Sequence, residues 1–287
     1  MTTVRLTVRA SPERYQLPEP VDFEQGTMTD LAQKRILLLV HGFANPEDKA
    51  QGSYKKFADG LTAVNESFPD AWGAVCEFHW PGDDRRGALA STVTYSFRVE
   101  SAHASAIRLA SFLHEEPGLT PDLDLYIVAH SLGCRLTLEV LREIAKKKDY
   151  KGPVVREVAL MAAAVPVWDC VSPDGFKPDK TRQEHVLYSR RDMVLHYTFG
   201  IGQGIFGERH SAVGLKGRPD KRWDTRTSTG LRHGEYWGNN KVARRASRIL
   251  GIGPVELPEH YPPQVEFDIA EPPRFRNMAG RLVSWRE

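Results

Sequence analysis

Residues 36–40 of the chain read ILLLV, apolar at every position. A strand with one wet face alternates apolar and polar residues, so a strand without alternation must be covered on both sides, as inside a parallel sheet flanked by helices. The run predicts a central strand. After it, Phe57, Leu61, Val64 and Phe68 recur at helical spacing, and residues 74–80 (AVCEFHW) read as a second strand ending at Pro81-Gly82. Ala102, Ala106, Leu109 and Leu113 mark the next helix, residues 125–129 (LYIVA) the next strand, and Leu132, Leu136 and Val140 the helix after it. Short apolar runs at 158–163 and 186–188 and a last helix at about 241–250 continue the rhythm. Repeated alternation of strand and helix predicts an α/β fold with a doubly wound, mostly parallel sheet.

Two regions break the pattern. Residues 193–230 are rich in glycine and polar residues, with 222–227 as their strand candidate, and 251–287 carry many prolines. The expected organisation is one domain over residues 1–250 and a proline-rich, irregular tail over 251–287, packed on that domain or extending from it. Within the first 34 residues, Val4, Leu6 and Val8 alternate with Arg5, Thr7 and Arg9, which predicts an antiparallel N-terminal edge strand.

Composition narrows the function classes. The 39 basic and 37 acidic residues leave a formal charge of +2, too weak a field to argue for nucleic acid or an anionic membrane. Residues 1–17 lack the continuous apolar core of a secretory signal and no stretch has the length of a membrane span, so a cytoplasmic location is expected. The cysteines, Cys76, Cys134 and Cys170, are odd in number and not spaced as metal ligands, which fits reduced thiols. Residues 202–207 match G-x-G-x-x-G literally, but Gly214, Gly217 and Pro219 interrupt the helix that a dinucleotide site needs. No cofactor and no metal are expected, and nothing in the sequence sets an oligomeric state.

The chemistry centres on Ala129-His130-Ser131-Leu132-Gly133, which lies between an apolar strand and an amphipathic helix. That is the context of a nucleophile elbow, with Ala129 in place of the usual first glycine, and small residues flank the serine because the turn is tight. The elbow lifts Ser131 above the carboxyl edge of the sheet, with the Leu132 N–H as one oxyanion donor. The second donor is expected from the loop after the first central strand, His41-Gly42-Phe43, as the Phe43 N–H. For His41 itself a structural role in shaping that loop is favoured.

A serine hydroxyl needs a base, and the base needs an acceptor that fixes its tautomer. Asp192, just past a strand end, is the first candidate acid and Asp169 the runner-up; His233, in a loop before the last helix, is the first candidate base and His210 its rival. The chain resembles the predicted hydrolases grouped as alpha/beta hydrolases of unknown function, from about residue 35 to 250. The likeness rests on His41-Gly42-Phe43, Trp80-Pro81-Gly82, the segment from Ala129 to Arg135, Ser189 to Asp192, and His233-Gly234-Glu235-Tyr236. The resemblance implies an alpha/beta-hydrolase fold with Ser131, Asp192 and His233 as its triad. It differs in the base loop, where that family usually shows His-Ser-Tyr. Only a short connection separates the strand near Ala163 from that near His185, so a minimal cap is expected. The expected reaction is cleavage of a small-molecule carboxylic ester through an acyl-enzyme. Thioester hydrolysis or acyl transfer by the same triad, and a non-catalytic binding protein on this scaffold, are the alternatives.

Overall fold

A computed structural model of the chain describes residues 2–9, 19–43, 45–82, 88–171, 176, 183–199, 211–217 and 225–251, together with 275–276 and 282–283. Its strands are β1 (Thr2–Thr7), β2 (Asp22–Gln25), β3 (Arg35–Val40), β4 (Ala74–His79), β5 (Asp124–His130), β6 (Val154–Met161), β7 (Gln183–Tyr188) and β8 (Thr225–Ser228). They form one sheet in the order β2-β1-β4-β3-β5-β6-β7-β8, parallel throughout except where β2 runs antiparallel to β1. This is the mostly parallel sheet that the alternation of strand and helix predicts.

The non-alternating run behaves as its composition requires. Ile36 through Val40 of β3 are all buried, between β4 and β5. Helix α1 (Met28–Leu31) precedes β3, α2 (Glu47–Val64) follows it, the short α3 (Phe68–Ala71) leads into β4, α4 (Ala88–Glu115) follows β4, and α5 (Leu132–Lys146) follows β5. The crossover through α2 runs one way along the sheet and those through α4 and α5 run the other way. With right-handed connections this puts them on opposite faces. Accordingly α4 packs on α5, and α2 packs on the last helix, α7 (Asn240–Ile249). Strand order therefore reverses between β3 and β5, and the carboxyl ends of these two neighbours mark the switch point at which ligands of such sheets bind.

Two expectations need correction. Strand β1 is not the edge: β2 occupies it, and β1 lies between β2 and β4. Alternation reports a polar face, and that face is half-buried because the Arg5 Nε donates to Glu77 Oε2 of β4 at 3.2 Å. The stretch that reads as glycine-rich and polar holds a π-helical segment at Val194–Phe199 and a one-turn helix at Val213–Lys216. A further short helix, α6 (Val167–Val171), follows β6. The 202–207 glycine motif, His210, residues 172–175 and 177–182 of the connection expected to carry a minimal cap, and the first three residues of the 222–227 strand candidate lie outside the described residues.

The chain separates into two compact units, Met1–Gly253 and Pro254–Glu287. The first holds the sheet. In the second, β9 (Phe275–Arg276) and β10 (Leu282–Val283) pair antiparallel, and the rest of the expected irregular tail lies outside the described residues.

Candidate active site

Strand β5 delivers the chain to Ser131 at φ 54°, ψ −122°, one of two positive-φ non-glycine residues among those described. Such a conformation costs on the order of 1–3 kcal/mol and persists only where the surroundings fix it. Three backbone hydrogen bonds do so. Ser131 N–H donates to Met161 O at 2.9 Å, and Ser131 O accepts from Cys134 N–H and Ala164 N–H, each at 3.1 Å. The turn also needs space beneath α5: a Cβ at Gly133 would lie 2.2 Å from His41 O, so only glycine lets the helix start this close to β3.

Ser131, Asp192 and His233, from three separate loops at the carboxyl edge of the sheet, come together. Asp192 follows β7 and is fully buried. Its Oδ1 accepts from Leu195 N–H at 3.0 Å, and its Oδ2 accepts from His233 Nδ1 at 2.7 Å. The first bond ties the carboxylate to the start of the π-helical segment, leaving the second oxygen for the imidazole. Because a carboxylate only accepts, Nδ1 of His233 carries the proton and Nε2 is free to accept. Its Nε2 stands 2.8 Å from Ser131 Oγ. An imidazole in this position can take the hydroxyl proton while its own new charge faces a carboxylate.

The two rivals stand differently. Asp169, on α6, is engaged by Arg135 Nη1 at 2.7 Å on the flank of α5. His210 is outside the described residues.

The loop His41-Gly42-Phe43 lies directly against the serine, since a Cβ at Gly42 would be 2.7 Å from Ser131 Cβ. Phe43 is half-buried beside it, and Leu132 opens α5, where its N–H has no intrahelical acceptor. Both predicted oxyanion donors therefore lie next to the serine in the chain or in space. His41 holds the loop rather than facing outward. It is fully buried: Nδ1–H donates to Gly42 O at 2.8 Å, and Nε2 accepts from Trp80 N–H at 3.3 Å. The Trp80 indole stacks on it and donates to His41 O at 2.9 Å, while Tyr54 of α2 accepts from His41 N–H at 2.7 Å. Burial above all, with Arg9 nearby, drives the His41 pKa well below the ordinary histidine value. Arg9, from the end of the N-terminal strand, donates to Asn45 O at 3.0 Å and so ties the far side of the same loop.

The loop carrying His233 is closed locally by the Glu235 carboxylate, which accepts Arg232 N–H at 2.7 Å. Beyond it, Tyr236 and Trp237 are buried, and the Trp237 ring meets Tyr54 and Phe57 of α2 edge-on at 5.4 and 5.3 Å. Pattern reading passed over one neighbour of this loop. In the sequence His130 reads only as part of the elbow, yet its buried Nε2 is 2.8 Å from the carbonyl of His233. Its pKa is pushed down to about 3, by burial first and by His233 second, so the ring is neutral. No sequence signal separates this histidine from any other residue in the elbow's variable position.

Among the described residues no group of His, Cys, Asp and Glu is arranged to hold a metal ion, and no helix is long and apolar enough to cross a membrane. A search of curated proteins found no match. Solved structures resemble the fold at low identity. A hydrolase from Agrobacterium vitis is 14% identical, covering 76% of this chain and 88% of its own, with a TM-score of 0.42. A Listeria innocua protein is 13% identical over 76% of this chain and 94% of its own, TM-score 0.43. A lipase-esterase related protein from Clostridium acetobutylicum is 13% identical over 76% and 95%, TM-score 0.39. The sequence pattern of one family matches residues 22–212, more than half of the 287 and including Ser131 and Asp192 but not His233. The chain belongs to that family, the alpha/beta hydrolases of unknown function (DUF900).

Proposed function

We propose that the protein is a serine hydrolase that cleaves a small-molecule carboxylic ester through an acyl-enzyme on Ser131. The observation that carries the proposal is the position of His233, 2.8 Å from Ser131 Oγ through Nε2 and 2.7 Å from Asp192 through Nδ1. In the first half-reaction His233 Nε2 takes the Ser131 proton as Oγ attacks the ester carbonyl. The tetrahedral oxyanion is held by the N–H groups of Phe43 and Leu132. Collapse breaks the bond to the alcohol oxygen, which leaves with the proton from His233. In the second half-reaction water gives its proton to His233 as it attacks the acyl carbon, the bond to Ser131 Oγ breaks, and Oγ recovers the proton. The carboxylic acid departs. Asp192 keeps the tautomer and faces the charge formed on the imidazole.

A panel of p-nitrophenyl esters of increasing acyl length, read with wild type and Ser131→Ala, tests this. Hydrolysis and fluorophosphonate labelling are expected in the wild type and lost in Ser131→Ala at unchanged circular dichroism. A variant that keeps a large share of the wild-type rate would remove the proposal. Adding alcohol or thiol acceptors to the same assay tests transfer against hydrolysis.

A further inference from the structure

The side chain of His130 makes one hydrogen bond among the described residues, and its partner belongs to the residue read as the base. Its Nε2 lies 2.8 Å from His233 O, a carbonyl that can only accept, so Nε2 carries the proton and donates. The other nitrogen, Nδ1, is buried and has no partner among the described residues. An imidazole in such a place is costly: one unsatisfied buried nitrogen alone costs about 1–3 kcal/mol, and an apolar ring would fill the space without it. What an apolar ring lacks is the donor.

That donor acts where the base loop is least constrained. Arg232, Gly234 and Glu235 are all exposed, and a Cβ at Gly234 would meet nothing within 4 Å. The ties that close the loop are made by its flanks, Glu235 to Arg232 and Thr229 Oγ1 with Tyr236 Oη at 3.1 Å. His233 itself is held at three points: Nδ1 by Asp192, Nε2 by Ser131, and its backbone carbonyl by His130. Each contact removes freedom from the base, and the fewer that remain, the more the loss of one matters.

The number of points changes during the reaction proposed above, on which this inference rests. Once Ser131 Oγ is acylated it has no proton to donate, and the contact with Nε2 is gone. In that state Asp192 and His130 alone hold the imidazole, while Nε2 must accept a proton from water. We propose that His130 is a positioning residue for the second half-reaction, holding the backbone of His233 so that its ring stays aligned for water when the serine no longer anchors it. Acylation starts with all three anchors in place and tolerates the loss of one; deacylation starts with two.

The test is steady-state and burst kinetics on a p-nitrophenyl ester with His130→Phe, which keeps a ring but no donor, and His130→Gln, whose amide N–H reaches about as far as Nε2. For an activated ester kcat/KM reports acylation, and kcat falls with deacylation when that step limits. His130→Phe is expected to lower kcat by about tenfold or more, as for a catalytic group displaced by a fraction of an ångström. Its kcat/KM should stay within about threefold, and a p-nitrophenolate burst should appear. His130→Gln should restore kcat and abolish the burst. Equal losses in kcat and kcat/KM, no loss in either, or a His130→Gln variant no better than His130→Phe would overturn the assignment. Should His130→Phe not fold, His130→Asn, whose amide falls a bond short, replaces it against His130→Gln under the same criteria. Ser131→Ala in parallel separates the two levels: activity retained there removes the triad reading itself, whereas an inactive Ser131→Ala with no burst in the His130 variants removes only the role of His130.

Discussion

Replacing Gly42 with alanine would set a methyl carbon 2.7 Å from Ser131 Cβ, 3.1 Å from His130 O and 3.2 Å from His130 Nδ1. Carbon atoms in contact sit about 3.5–4.0 Å apart, so something must yield by roughly 1 Å. Ser131 is the less able to move, because three backbone hydrogen bonds to β6, α5 and the β6 exit hold it. The displacement therefore falls on Gly42 and Phe43. A donor aimed at an oxyanion about 2.9 Å away would be carried to nearly 4 Å, beyond a useful hydrogen bond. Losing one oxyanion donor costs about a hundred- to a thousandfold in kcat, or roughly 2.7–4 kcal/mol of transition-state stabilisation. Gly42→Val should be worse. Phe43→Ala, which keeps the backbone N–H, should be milder than either. The assay is turnover of a p-nitrophenyl ester beside thermal melts that certify folding. A folded Gly42→Ala enzyme with normal turnover, or a Phe43→Ala variant more impaired than Gly42→Ala, would refute the argument.

Two further outcomes follow from the site. His233→Ala should cost nearly as much activity as Ser131→Ala, Asp192→Ala should leave more residual turnover, and Asp169→Ala should be mildest because its carboxylate serves Arg135; initial rates of the four variants decide, and full activity in His233→Ala would overturn the base assignment. The buried, neutral His130 should make stability fall with acid. Its folded pKa lies near 3 and its unfolded value near 6.5, so the unfolded chain binds the extra proton and stability is lost as pH drops below about 6.5, by up to about 1.4 kcal/mol per unit until pH nears 3. Urea midpoints of His130→Gln should decline less steeply than wild type between pH 6 and 4, and parallel slopes would contradict the assigned charge state.

The parts of the fold that sequence discloses are those where one local pattern has one solution. Residues 36–40 could be satisfied only by cover on both faces, and Ser131 stands at a strand-to-helix turn whose tightness is written in Ala129 and Gly133. The edge was misjudged because alternation in β1 records a polar face and cannot tell water from Glu77. Choosing among the acidic residues depended on chain placement alone; what separates them in space is Arg135, which engages Asp169, and Leu195 N–H, which orients Asp192. Neither partner is visible as a motif. His130 escaped for the same reason: its partner is a backbone carbonyl 103 residues away, and carbonyls have no letter in a sequence.

Helix α2 touches both halves of the proposed catalytic machinery without contributing to either. Its Tyr54 hydroxyl caps the loop before Gly42, and the same ring, with Phe57, seats the Trp237 that follows His233. The proposed oxyanion donor and base are thus mounted on one shared beam, whereas the proposed nucleophile is mounted on another, between β5 and α5. A small tilt of α2 would shift donor and base together and leave their mutual spacing intact, so it would appear as a misfit of the pair to the serine. Silencing substitutions outside the three proposed catalytic residues should for that reason gather on the inner face of α2, and an engineer seeking to retune the site without dismantling it would start from Tyr54 and Phe57.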